Sequence, residues 1–290
     1  MKTSLNLSHL LSRRVFLGAA TSCIAAPALA HPQCALGPEP HEKGPPVFLD
    51  YDQVELDAAY DQEAYQLITD STNARLSFLS SDVRFRLGFP DRHSYGESEI
   101  EKLDIFRAAA DPAPILIFIH GGRWQALSAG NTAFAAEMCL DAGVHFVAPD
   151  FAKVTEVGGD LGILADQVRR AIVWVARNAG HFGGDAERIY VAGHSSGGHL
   201  CAVALATDWE TNFDLPADVL KGGLCISGMY DMKPVRISSR RTYLAFTDAM
   251  EDAMSPIRHL NLIRAPVTVA YGSLETPEFV RQGKAFAEAL

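Results

Sequence analysis

The sequence has no Cys-x-x-Cys pair, and the spacing of its ten histidines suggests no zinc site, so no metal is predicted and no cofactor motif is present. Long apolar runs are missing too. The longest candidate, Val15 to Leu29, is interrupted by Gly18, Thr21, Ser22 and Pro27 and falls short of the roughly 20 residues a spanning helix needs, which excludes a stable membrane anchor. Positive charge is scarce: 25 Lys and Arg stand against 35 Asp and Glu, a net charge of −10. A surface of that sign attracts neither nucleic acid nor anionic lipid. What remains is the composition of an ordinary globular chain, 48% hydrophobic and 21% charged, able to bury a sizeable core in one domain.

Residues 1–30 stand apart. A basic start, a short apolar stretch and a small-residue ending, Ala28-Leu29-Ala30, have the order of an export signal. Arg13-Arg14 within "SRRVFLG" resembles the twin-arginine signal, which implies the twin-arginine export machinery as partner and a periplasmic or secreted location in a bacterium. Loss of this segment removes Lys2, Arg13 and Arg14 and leaves a net charge of −13. Residues 31–46, "HPQCALGPEPHEKGPP", have linker composition and are expected to be mobile, with the folded domain in 47–290. Of the cysteines that remain after export, Cys139, Cys201 and Cys225 lie in apolar segments and are expected as buried thiols, whereas nothing places Cys34.

Apolar spacing predicts a helix over 55–69, and alternation predicts strands at 83–87 and 102–107, a hairpin-like start. Strands and helices then alternate. Strands are expected at 114–120, 144–149, 188–193, 222–227 and 266–271, with helices near 128–142, 160–179 and 196–206 between them. Continuous apolar strands separated by amphipathic helices imply a mostly parallel sheet covered on both faces, with ligands bound beyond the carboxyl ends of the strands. The stretch 228–264 is long enough to form a small cap there.

Two of those strand ends carry chemistry. "AGHSSGG" places Ser195 between Gly193 and Gly197, directly after a strand and opening a helix, the setting that lifts a serine hydroxyl above a sheet. "HGGRW", His120 to Trp124, ends the 114–120 strand. Glycine-rich backbone there can aim N–H groups at a developing oxyanion, which assigns Gly121, Gly122 and Ser196 to that hole and His120 and Trp124 to support of the loop.

Together "HGGRW" and "AGHSSGGHL" resemble the α/β-hydrolase superfamily and, within it, the esterase and kynurenine formamidase (arylformamidase) group. "ELDAAYDQ", "SGMYDMKPV", "SPIRHL" and "YGSLETPEFVRQGKAFAEAL" extend the likeness over about residues 50–290. The resemblance implies the α/β-hydrolase fold, a triad in the order serine, acid, histidine, and Glu275 as the acid where Asp is usual. The triad histidine should follow the acid by roughly thirty residues, beyond one more strand. No histidine follows His259, so the expectation is a C-terminally truncated member lacking the last strand and helix, with impaired catalysis and, at 266–271, an exposed edge that favours aggregation. His194, His199 and His259 do not suit the base position. The resemblance implies hydrolysis of small carboxylic esters or N-formyl aryl amides through an acyl-enzyme at Ser195; the alternative is a catalytically dead hydrolase-fold protein that binds a ligand or partner. Trp124, Phe151 and Tyr230 offer either an aromatic pocket or packing, and Arg236, Arg240 and Arg241 either a carboxylate-binding group or a solvated face.

Overall fold

The structure is a computed structural model and describes residues 37–62 and 69–290. The proposed export signal and residues 31–36 of the proposed linker lie outside the described residues. Residues 38–46 carry no helix or strand, yet they are tied down. His41 Nε2 lies 2.8 Å from Asp52 Oδ2, and the Gly44 N–H donates to the same oxygen at 2.8 Å. Asp52 is also the N-cap of helix α1 (Gln53–Ala59) and forms a capping box with Glu55. This box satisfies two helix-start N–H groups that would otherwise lack partners. His41, Asp52 and Glu55 are close enough to surround an ion, but each ligand atom already serves the cap or Lys43.

Helix α1 ends well short of the expected residue 69; helix α2 spans Thr69–Leu87, and residues 63–68 are outside the description. The expected strand at 83–87 is therefore wrong, because it is the last turns of α2. Its alternation misled because burial there follows helical spacing. Ser80 and Val83 are buried three residues apart, whereas Phe85 is 89% exposed. Arg84 and Arg86 suit the negative end of the helix, and Arg86 pairs with Asp82 one turn back and with Glu137. The hairpin does exist, formed by β1 (Asp91–Ser94) and β2 (Lys102–Phe106).

The remaining strands are β3 (Ala113–Ile119), β4 (His145–Pro149), β5 (Gly184–His194), β6 (Leu220–Ile226) and β7 (Val267–Ala270). Among the described residues they form one sheet in the order β1-β2-β4-β3-β5-β6-β7. The pairs β1–β2 and β2–β4 are antiparallel and all others parallel. Helices α4 (Leu161–Asn178) and α5 (Ser196–Leu205) form where 160–179 and 196–206 predict them. Leu161, Leu164, Ala165, Val168, Ala171, Ile172 and Val175 put the buried stripe of α4 at helical spacing, and the Asp160 side chain caps its first turn. This stripe and residues 200–205 of α5 pack with Ile115, Ile117 and Ile119 of β3 in the main core.

The expected helix at 128–142 survives only as α3 (Ala136–Asp141), preceded by two 3₁₀ turns. Side-chain bonds explain the difference. Thr132 Oγ1 donates to the Ala129 carbonyl, and Ser128 Oγ bonds Asn131 Oδ1, tightening the chain before an α-helix can propagate. Between β5 and β6 lies α6 (Trp209–Phe213). Residues 228–264 form α7 (Met232–Ile237), α8 (Asp248–Ala253) and short turns, and α9 (Pro277–Ala289) follows β7. No helix among the described residues is long and apolar enough to cross a membrane.

Candidate active site

Ser195 occupies the junction of β5 and α5 with φ 57° and ψ −123°, a conformation that non-glycine residues avoid. The surrounding glycines are required by contact. A Cβ on Gly193 would lie 2.1 Å from the Gly197 carbonyl oxygen, and one on Gly197 would lie 2.1 Å from that of Ile119. The turn is fixed from the neighbouring strand, because the Ser195 N–H donates to the Ile226 carbonyl at 2.8 Å. The serine is 8% exposed, and its hydroxyl makes no hydrogen bond to any described residue.

The "HGGRW" loop lies against this turn. A Cβ on Gly121 would sit 2.7 Å from the His194 carbonyl oxygen and 3.2 Å from Ser195 Cβ, so only glycine brings the loop this close. Gly122 has φ 106°, and Arg123 and Trp124 follow in left-handed conformations. The Trp124 N–H donates to Ser196 Oγ at 3.2 Å, joining the loop to the first residue of α5. Gly121 and Gly122 N–H have no acceptor among the described residues, and neither has Ser196 N–H at the open end of α5. The His120 ring stacks on Phe151 at 4.1 Å with Nδ1 2.9 Å from the Gly121 carbonyl. Burial lowers its pKa, so the ring is neutral there and donates to that carbonyl.

Glu275 stands after β7. Its Oε1 accepts from Ser227 Oγ at 2.5 Å and from the Gly272 N–H at 2.7 Å, while its Oε2 is buried without a partner. Ser227, with φ 53°, is a member of this site that the sequence did not single out. Its only signal was its position directly after β6. Glu278, in the first turn of α9, is fully buried and bonds Tyr60 and Arg281.

The histidines occupy separate environments. His194 keeps a solvent-exposed face within crowded surroundings; desolvation lowers its pKa and the Glu275 charge opposes that shift. His199 is fully buried, donates from Nε2 to the Met254 carbonyl at 2.9 Å, and is pushed down to about 4 by burial. His259 Nε2 lies 2.9 Å from the Asp252 carbonyl. The His199 backbone N–H donates to the Ser195 carbonyl at 3.1 Å as part of α5, but none of these three imidazole rings hydrogen-bonds Ser195 or Glu275.

Trp124, Phe151 and Tyr230 are all packed inside, at 2%, 5% and 0% exposure, so other side chains form the nearby pocket. Phe118, His194 and Ile226 share one sheet face through the β3–β5 and β5–β6 registers. With Gly121, Leu76 and Phe134 they line a mostly apolar cavity of about 270 Å³. Arg236 pairs with Asp248 and Glu251, Arg241 bonds backbone carbonyls, and Arg240 is buried. Cys139, Cys201 and Cys225 are buried thiols, with the last two sulfurs 3.7 Å apart.

A central parallel sheet, a serine on a strained strand-to-helix turn and a glycine loop pressed against it define an α/β-hydrolase. Residues 103–222 match the BD-FAE family model. The chain is 34% identical over 203 residues to the kynurenine formamidase of Danio rerio, covering 68% of this chain and 67% of that protein. It is 31% identical over 221 residues to esterase LipC of Mycobacterium tuberculosis, covering 68% of this chain and 53% of that protein. The crystal structure of a candidate thioesterase from Silicibacter sp. TM1040 superposes with a TM-score of 0.72 at 27% identity, over 81% of this chain and 87% of that one. An esterase of Pyrobaculum calidifontis shares the fold at TM-score 0.57 and 18% identity, over 75% of this chain and 76% of that one. The chain belongs to the kynurenine formamidase and esterase family of α/β-hydrolases, and it is a hydrolase.

Proposed function

We propose that the protein cleaves small carboxylic esters or N-formyl aryl amides through an acyl-enzyme on Ser195. The observation that carries this reading is the Ser195 turn with Gly121 packed on it and the N–H groups of Gly121, Gly122 and Ser196 unclaimed beside it. Attack of Ser195 Oγ on a carbonyl would move negative charge onto its oxygen, and preorganised N–H donors stabilise that charge. The adjoining cavity, at about 270 Å³, is below the usual 300–1,000 Å³ of ligand pockets and suits a short acyl or single-ring group. Relatives named kynurenine formamidase and esterase support both bond types. Glu275 takes the acid role in this reading, its unpartnered Oε2 free to orient and charge-stabilise an imidazole.

A second reading is favoured by one observation: among the described residues no histidine ring hydrogen-bonds the Ser195 hydroxyl or the Glu275 carboxylate, which suits a hydrolase-fold protein that binds rather than cleaves. A fluorophosphonate probe and p-nitrophenyl acetate separate the two. Labelling and hydrolysis by the wild-type chain, both lost in Ser195→Ala, support the acyl-enzyme; absence of both in a folded wild-type chain favours the binding protein. Hydrolysis of the ester without action on N-formylkynurenine would remove the formamidase arm. Export rests on Arg13-Arg14 and the order of residues 1–30. Cell fractionation of wild type against Arg13→Lys/Arg14→Lys tests it, with periplasmic delivery expected only for the wild type.

A further inference from the structure

Arg240 is a buried cation with no carboxylate partner among the described residues. Its residue is 3% exposed. Nη1 donates to Tyr243 OH at 2.9 Å and Nη2 to the Tyr60 carbonyl at 3.0 Å, while Nε is buried with no partner. The guanidinium carbon lies 5.8 Å from the ring centres of Tyr60 and Trp124 and 5.9 Å from that of Phe279. Neutral acceptors and aromatic faces stabilise a cation but leave its charge uncancelled, and buried charges are ordinarily paired. Even the more exposed Arg236 nearby is paired, with Asp248 and Glu251, whereas no described carboxylate pairs with Arg240.

Arg240 also forms part of the wall of a cavity of about 480 Å³, whose apolar and aromatic surface comes from Val54, Tyr60 and Tyr243. Arg123, Glu39, Asp57 and Asp61 line it as well. Those acids repel a doubly charged phosphate more than a singly charged carboxylate, and the planar guanidinium matches carboxylate geometry. We propose that this cavity binds a small organic monocarboxylate, its charge on Arg240 and its apolar body against Val54, Tyr60 and Tyr243. The site is independent of hydrolysis at Ser195. It adjoins that machinery through the Arg123-Trp124 end of the glycine loop: Arg123 lines the cavity, and Trp124 stacks under Arg240 and donates its backbone N–H to Ser196.

Benzoate titrated into the full chain by isothermal calorimetry tests the proposal, with benzamide as the neutral look-alike and inorganic phosphate as competitor. The expected result is saturable one-to-one binding of benzoate, at least about tenfold weaker binding of benzamide, and no competition by phosphate. Arg240→Met and Val54→Trp should each weaken benzoate by about tenfold or more, the first by removing the charge and the second by filling the cavity. Ser195→Ala should leave it unchanged. If Arg240→Met fails to fold by circular dichroism, Val54→Trp and the benzamide comparison decide. No saturation by the wild type, equal binding of benzoate and benzamide, displacement by phosphate, or loss of binding in Ser195→Ala would each overturn the assignment.

Discussion

Steric demand at single residues explains why part of the site could be read in advance. Gly193, Gly197 and Gly121 are needed because a Cβ would collide with backbone only 2.1 to 2.7 Å away, and that demand leaves a local pattern in the sequence. Gly197→Ala is expected to destabilise the fold by about 3 kcal/mol or more, since backbone on both sides must shift, while Gly180→Ala, with nothing within 4 Å, stays within about 0.5 kcal/mol. Urea denaturation of the two variants checks the contrast. A Gly122→Ala change attacks function instead: its Cβ would meet the Ala126 carbonyl at 2.2 Å with φ at 106°, displacing the N–H donors. Steady-state ester hydrolysis should fall by on the order of 10²-fold. Ser227 escaped notice because its partner Glu275 is 48 positions away, a separation over which no local pattern carries information. Arg240 was visible as a candidate, but its burial against Tyr60, 180 positions away, was not.

Elements were legible where one periodicity ruled the whole segment. Helix α4 has a continuous buried stripe and a capped start, and strand β3 is apolar over its full length. Legibility failed at 83–87, where two basic residues between apolar ones imitate a strand, and at 128–142, where Ser128 and Thr132 divert the backbone into tight turns. The segment before α1 behaves as a clasp with a definite pH dependence. Hydrogen bonding to Asp52 raises the pKa of His41 above its ordinary 6.5, so the stabilisation is complete below 6.5 and is lost as pH rises through the raised value. Asp52 is held down to about 2, chiefly by the Glu55 N–H, so its contribution is present above 3.8 and lost as pH falls through about 2. The clasp is therefore tightest between these limits. Hydrogen exchange at Gly44, corrected for intrinsic rate, should show greatest protection near pH 4 to 6 and a loss above, and His41→Gln should abolish that upper step.

At the scale of the whole molecule the two edges of the sheet differ in kind. Strand β1 reads Asp-Arg-His-Ser, and its Arg92 pairs with Asp104 and Asp150, so one edge carries the charge that discourages pairing with another chain. Strand β7 reads Val-Thr-Val-Ala, has no charged residue, and pairs among the described residues only with β6. Around it Leu224, Tyr271 and Leu274 are 36%, 37% and 78% exposed, which adds apolar area to unpaired backbone groups. A net charge of −10 opposes association between copies, but that repulsion fades as pH approaches the sequence pI near 5.4. Self-association should then rise from pH 8 to pH 5.5 and proceed through β7. Thr268 is the exposed residue in the middle of that strand, and Thr268→Lys puts a charge on the edge while leaving the partly buried Val267, Val269 and Ala270 untouched. Ser81→Lys, on the exposed side of α2, changes net charge equally far from β7. Light scattering at pH 5.5 should show association suppressed by Thr268→Lys and retained in Ser81→Lys; equal behaviour of the two variants would assign the effect to net charge and exclude the edge.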